Sequence, residues 1–205
     1  MHLLLILRSA CLLLLVTASA QAQMAKDNAL TMSLSYPNLD THRILEFQGI
    51  NYHNVKISGK NLKGKKYYVV IKEFTKGALT ATDTLFNTAR KQSYARPITS
   101  DTLSFFIMSQ QTKERDIKIQ FGFDGYSSIK KFKNKSDLDY ELMDVAHLFP
   151  IEIDKPFYAF AYILPYVEGD IQYYCAPAKS GKDIETWGKE FDIAHYYLLE
   201  MCFFE

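Results

Sequence analysis

Between Leu30 and Tyr36, apolar and polar residues alternate: Leu30, Met32, Leu34 and Tyr36 against Thr31, Ser33 and Ser35. Period two sends one set to a single face, so the pattern predicts a half-buried strand. Pro37-Asn38 ends it, and Arg43–Phe47 reads as a weaker strand. Val55 and Ile57 alternate again before a turn at Ser58-Gly59-Lys60-Asn61 and Gly64. Tyr67–Phe74 is β-branched and aromatic, a composition that suits a pleated surface, and Gly77 breaks it. Thr84–Phe86 and Leu103–Met108 are further strands, separated by a loop at Ala95-Arg96-Pro97. Ile117, Ile119, Phe121 and Phe123 alternate with Lys118, Gln120 and Gly122, and Gly122 and Gly125 mark a bend or turn.

One stretch departs from this period. Leu138, Leu142, Val145, Ala146 and Phe149 fall near helical spacing, which predicts a helix over Asp137–Phe149 with Ser136 as N-cap and Pro150 as stop. Pro156–Val167 is then apolar on both faces, as a covered central strand would be. Ile171–Cys175 reads as its hairpin partner across Glu168-Gly169-Asp170, and residues 176–194 as a long loop. His195–Phe204 closes the chain as a strand too apolar to lie outside the sheet. Many short strands, turn residues between them and one short helix predict an all-β, single-domain antiparallel β-sandwich; a sheet with a covering helix (α+β) is the alternative.

The first residues carry a different pattern. Arg8 precedes an apolar run from Cys11 to Val16, and small residues follow at Ala18, Ser19, Ala20 and Ala22. That is a cleavable signal peptide over residues 1–22, cut after Ala20 or Ala22, with the globular domain over residues 23–205. The apolar run is too short to span a bilayer, so no integral membrane span is expected after cleavage. Cleavage would remove Arg8 from the 24 Lys and Arg, leaving them equal in number to the 23 Asp and Glu. A neutral chain argues against nucleic acid as a partner. Cys11 would leave as well, so that Cys175 and Cys202 remain in an oxidising compartment. They are read either as a disulfide, stabilising by about 3 kcal/mol through loop closure, or as two buried thiols.

Motifs for chemistry are absent. There is no G-x-S-x-G, and Ser180-Gly181-Lys182 lacks the frame of a phosphate loop. His42, His53, His147 and His195 are not spaced as metal ligands, so neither a metal nor another cofactor is expected. Asp137, Asp139, Glu141 and Asp144 fail the calcium-loop pattern and read as acids at a helix start. Lys60, Lys63, Lys65 and Lys66, and Lys130, Lys131, Lys133 and Lys135, are read as solvated faces, with an anion site as the alternative.

What stands out is 14 Tyr, 14 Phe and one Trp. Tyr and Trp offer a flat apolar body with a polar tip, which suits stacking on sugar rings. Trp187, set between Gly181 and Gly188, and Tyr166 and Tyr173 are the candidate ligand-binding residues; packing in the core is the competing reading.

The segments ISGKNLKGKKYYVVIKE (57–73), TDTLF (82–86), KPFYAFAYILPY (155–166) and SGKDIETWGKEFDIAHYYL (180–198) resemble an uncharacterised family of exported single-domain proteins of gut Bacteroidetes, a domain of unknown function. The resemblance implies one domain in the periplasm or at the cell surface, and no activity. Asp83-Thr84-Leu85 and Asp101-Thr102-Leu103 also look like the short O-glycosylation acceptor of that phylum. The functional expectation is a non-catalytic exported binding or structural module, whose partner is a glycan, a peptide or another surface protein. The alternatives are a hydrolase with spatially assembled carboxylates, such as Asp154, Glu168 and Asp170, and an inhibitor or partner subunit.

Overall fold

The computed structural model describes residues 29–91, 96–112, 116–174 and 176–205. Two antiparallel sheets face each other across one continuous apolar core. The first has six strands in the order β7-β6-β5-β2-β1-β9. These are β1 (Ala29–Ser35), β2 (Ile50–Ser58), β5 (Thr102–Gln111), β6 (Asp116–Phe123), β7 (Tyr126–Lys133) and the short β9 (Ile151–Glu152). The second has five strands in the order β4-β3-β13-β10-β8. They are β3 (Lys66–Thr75), β4 (Ala78–Asn87), β8 (Glu141–Asp144), β10 (Phe157–Ile163) and β13 (His195–Phe204). A separate hairpin pairs β11 (Tyr166–Glu168) with β12 (Ile171–Tyr173). The expected all-β antiparallel architecture is therefore the one observed.

β13 occupies the middle of its sheet. It pairs along its whole length with β3, from His195↔Thr75 to Phe204↔Lys66, and along its other edge with β10. Its odd-numbered residues enter the core between the sheets, where Tyr197 meets Phe132 of β7 at 4.9 Å between ring centroids. The outer face is covered in turn. Residues 176–191 cross it with two single-turn helices, α2 (Ala176–Lys179) and α3 (Trp187–Glu190). There the Tyr196 hydroxyl donates to the Glu185 carbonyl at 2.9 Å, and Tyr196 lies flat on Phe74 at 4.9 Å. This double cover explains why β10 and β13 are apolar without alternation.

Three local expectations are corrected. The helix expected over Asp137–Phe149 is strand β8 followed by a single 3-10 turn at Ala146–Leu148. The edge of β10 decides this, because its open backbone groups take Glu141–Asp144 as a partner strand. Gln111 also pins the approach, accepting from Tyr140 N–H at 3.0 Å and donating to Leu138 O at 3.1 Å. Conversely, the strand expected at Arg43–Phe47 is part of helix α1 (Leu39–Phe47). Asn38 caps it by accepting from the Thr41 N–H at 3.0 Å, and Gly49 ends it with φ +65, a conformation open to glycine at no steric cost. The hairpin expected at Glu168-Gly169-Asp170 forms, with Tyr166 and Val167 pairing with Tyr173 and Gln172, but its first arm is the separate strand β11 and not a continuation of β10, which ends at Ile163. The lysine-rich stretch Lys130–Lys133 belongs to strand β7. Its exposure alternates strictly, with Lys131 and Lys133 outward on an edge strand, where charge discourages further pairing.

Candidate functional site

Beyond Ser35↔Asn54 the strand pairing of β1 and β2 stops, because Pro37 and α1 take the chain away. Residues 50–53 of β2 therefore run on without a partner on that side. The gap between this lip of one sheet and β8 on the other holds a cavity of about 550 Å3, a size that suits a small ligand. α1 contributes His42 and Glu46, β2 contributes Asn51, Tyr52 and His53, and the approach to β8 contributes Asp139, Tyr140 and Glu141. Tyr36, Gln111 and Tyr162 complete the polar and aromatic lining. Hollows of about 350 Å3 beside β9 and about 460 Å3 on the outer face of the six-stranded sheet are smaller.

The aromatic rings are organised in pairs. Tyr140 stacks on Tyr162 with centroids 5.1 Å apart. Tyr36, itself exposed, sets its edge against His42 at 5.6 Å and against His53 at 5.5 Å. Tyr52 stacks on Phe106 at 5.9 Å, and the Phe106 ring lies over Gly122. A Cβ at Gly122 would sit 2.0 Å from that ring, so only glycine leaves it room.

Behind the cavity a polar chain anchors Tyr140. Its hydroxyl donates to His195 Nδ1 at 2.6 Å, His195 Nε2–H donates to Glu73 Oε1 at 2.8 Å, and Lys135 Nζ donates to the same carboxylate at 2.5 Å. Burial pushes the His195 imidazole below its ordinary range, against the opposing pull of Glu73. Burial alone would raise Glu73, but the hydrogen bonds from Lys135 and His195 hold it below the usual carboxylate range. Burial also raises the Tyr140 phenol, which stays protonated. Every member of the chain is partnered.

The cavity side is less complete. His53 rests on the Phe160 ring at 5.8 Å and donates from Nε2 to the Leu142 carbonyl at 3.4 Å. Its Nδ1 is buried and has no hydrogen-bond partner. Burial lowers the His53 pKa, so this nitrogen is a bare acceptor at neutral pH. Burial raises the Glu141 carboxyl above its ordinary value. Among the described residues no lining residue is Lys or Arg. Among the described residues no group of three His, Cys, Asp or Glu is placed to hold a metal ion, and no helix is long and apolar enough to cross a membrane.

The residues singled out by sequence lie elsewhere. Trp187 opens α3 and is 1% exposed, packed over the outer face of β13's sheet, so it offers no free ring face to a ligand. Burial of the largest apolar ring where residues 176–191 cross the sheet is the reason. Tyr166 and Tyr173 do come together, stacked at 5.1 Å across the β11–β12 hairpin, away from the cavity lining. Cys202 is buried in β13, and Cys175 lies outside the described residues. Asp154 sits in a turn with φ +64, its N–H bonded to Phe203 O at 2.7 Å, and Glu168 and Asp170 are exposed at the hairpin. None of these three lines the cavity. Residues 1–28, including the signal-peptide reading, also fall outside the described residues.

No family profile, curated protein or solved structure matches the chain.

Proposed function

We propose that the protein is a non-catalytic exported binding module and that its ligand is a glycan seated in the cavity between α1, β2 and β8. The observation that supports this most is the composition of the lining. Tyr36 supplies an exposed flat apolar ring, while Asn51, Gln111, His53, Asp139 and Glu141 supply donors and acceptors. A sugar needs both, because its ring C–H faces stack and its hydroxyls must each find a partner once desolvated. The signal-like leader and the neutral remaining chain agree with a role outside the cytoplasm.

Glycan-array binding followed by calorimetry on the purified domain tests the reading. Saccharide binding that falls at least tenfold in Tyr36→Ala, a change at an exposed ring that leaves the core intact, is the expected result. An empty array on folded protein, or binding indifferent to Tyr36→Ala and Asn51→Ala, overturns it.

A hydrolase is the second reading, favoured by one observation: Glu46, Asp139 and Glu141 share the cavity, and Glu141 is the carboxyl whose affinity for its proton is raised. A carboxyl with raised affinity for its proton is what a glycosidase uses as general acid. Release of reducing ends from a bound oligosaccharide, lost in Glu141→Gln, would replace the binding-module reading with this one.

A further inference from the structure

We infer that the glycan taken by this cavity carries a positively charged amine, as a deacetylated amino sugar does. The inference rests on the proposed cavity and narrows its ligand class.

Three independent features of the cavity point the same way. The first is charge. Among the described residues its lining holds Glu46, Asp139 and Glu141 but no Lys or Arg. The carboxylates elsewhere in the fold are treated differently. Glu73 is paired with Lys135, Glu200 with Lys72 at 2.8 Å, Asp83 with Lys130 at 2.7 Å and Asp116 with Lys133 at 2.7 Å. In a chain whose basic and acidic residues are nearly equal in number, no Lys or Arg among the described residues lines the cavity beside these carboxylates. Such a site repels acidic saccharides and attracts cations, with the effect strengthened where water is excluded.

The second feature is aromatic. The exposed ring of Tyr36 stands at the cavity of about 550 Å3. The electron-rich face of a tyrosine attracts an ammonium group within about 6 Å of its centroid, and the attraction grows on desolvation.

The third is the bare acceptor. His53 Nδ1 has no partner among the described residues and is closed off, so it takes a donor only when the imidazole or its neighbours shift toward the cavity. An ammonium carries three donors and no acceptor, so it can be shared between an imidazole nitrogen and carboxylates, whereas a carboxylate-bearing sugar would add a further acceptor.

The test compares two disaccharides that differ in the amine alone: chitobiose, with both nitrogens acetylated, and its fully deacetylated form, titrated at pH 6 by calorimetry. The deacetylated sugar is expected to bind at least tenfold more tightly. That advantage is expected to shrink with added salt and to disappear in Glu141→Gln and Asp139→Asn, with the fold of both variants checked by circular dichroism. His53→Phe keeps the ring stack on Phe160 and is expected to lose affinity for both sugars. Equal or tighter binding of the acetylated form overturns the inference while leaving the cavity as a glycan site. An amine preference that survives both acid substitutions assigns it to another surface and also overturns the inference. No binding of either sugar, nor of any saccharide on the array, removes the glycan reading itself.

Discussion

His195 and His53 make a controlled comparison. Both are drawn into the core by their strands, both have an imidazole lowered in pKa by burial, and both sit against aromatic rings. They differ in what their nitrogens find. His195 is held at both nitrogens, by Tyr140 and by Glu73, and the chain continues to Lys135. His53 is held at one nitrogen, and weakly, at 3.4 Å. The difference separates two uses of a buried polar group. A fully satisfied chain fixes geometry, here that of Tyr140 and therefore of the cavity's rear wall. The ligand role proposed for His53 rests on its being left half satisfied beside the cavity.

The largest effect that would break this comparison is on stability. His195→Ala leaves the Tyr140 hydroxyl and Glu73 without their partner and opens a hole between packed rings; it is expected to cost about 3 kcal/mol in chemical denaturation. His53→Phe preserves the stack on Phe160 and removes one long hydrogen bond, so its stability should stay within about 1 kcal/mol of the parent. If the two substitutions cost the same, the distinction between structural and ligand-facing histidine fails.

Acid sharpens it next. Each histidine has a folded-state value below 6.5, so between that value and 6.5 the unfolded chain binds more protons than the native one. Stability therefore falls as pH drops from 7 through 6.5, and levels off only below the folded-state values. Glu73, depressed in the fold, adds a further loss as pH falls below its ordinary 4.5. Denaturation midpoints between pH 7 and 5 should show the first slope, and His53→Phe should remove part of it; a flat profile contradicts the account. The smallest expected effect has the opposite sign. Glu141 is raised by burial, so its ionised form weakens the fold at neutral pH. Glu141→Gln should leave the unliganded protein equally stable or a few tenths of a kcal/mol more so, while lowering affinity for the deacetylated disaccharide.

Much of the framework could be read from alternation. β1, β6 and the inner residues of β2 bury one face, so Leu30, Val55, Ile57, Ile117 and Ile119 announce themselves. β10 and β13 are legible for the opposite reason, since strands covered on both sides lose alternation altogether. The segment 137–149 misleads because its apolar spacing fits a helix while its fate is set by an edge further along the chain, where Phe160–Ile163 of β10 pair with Glu141–Asp144. α1 hides because its outward residues Leu39, Ile44 and Phe47 are apolar yet exposed, the reverse of an amphipathic surface helix.

The cavity was not legible at all. Its lining is drawn from α1, β2, Gln111, the approach to β8 and Tyr162, segments that only the register of two sheets brings together. His42 and His53 carry no sequence spacing that pairs them, and Asp139 and Glu141 resemble the acids of a helix start. Trp187 drew notice by its rarity, and rarity is no guide to exposure.

The central claim is that the half-satisfied cavity is the ligand site. Chemical-shift mapping of the isotope-labelled protein during titration with deacetylated chitobiose tests it most directly. The account predicts the largest amide shifts at Tyr36, Asn51, His53 and Glu141, saturating together, with Tyr166 and Tyr173 unmoved. Shifts confined to the β11–β12 hairpin, or a titration that leaves the cavity residues unperturbed, would contradict it.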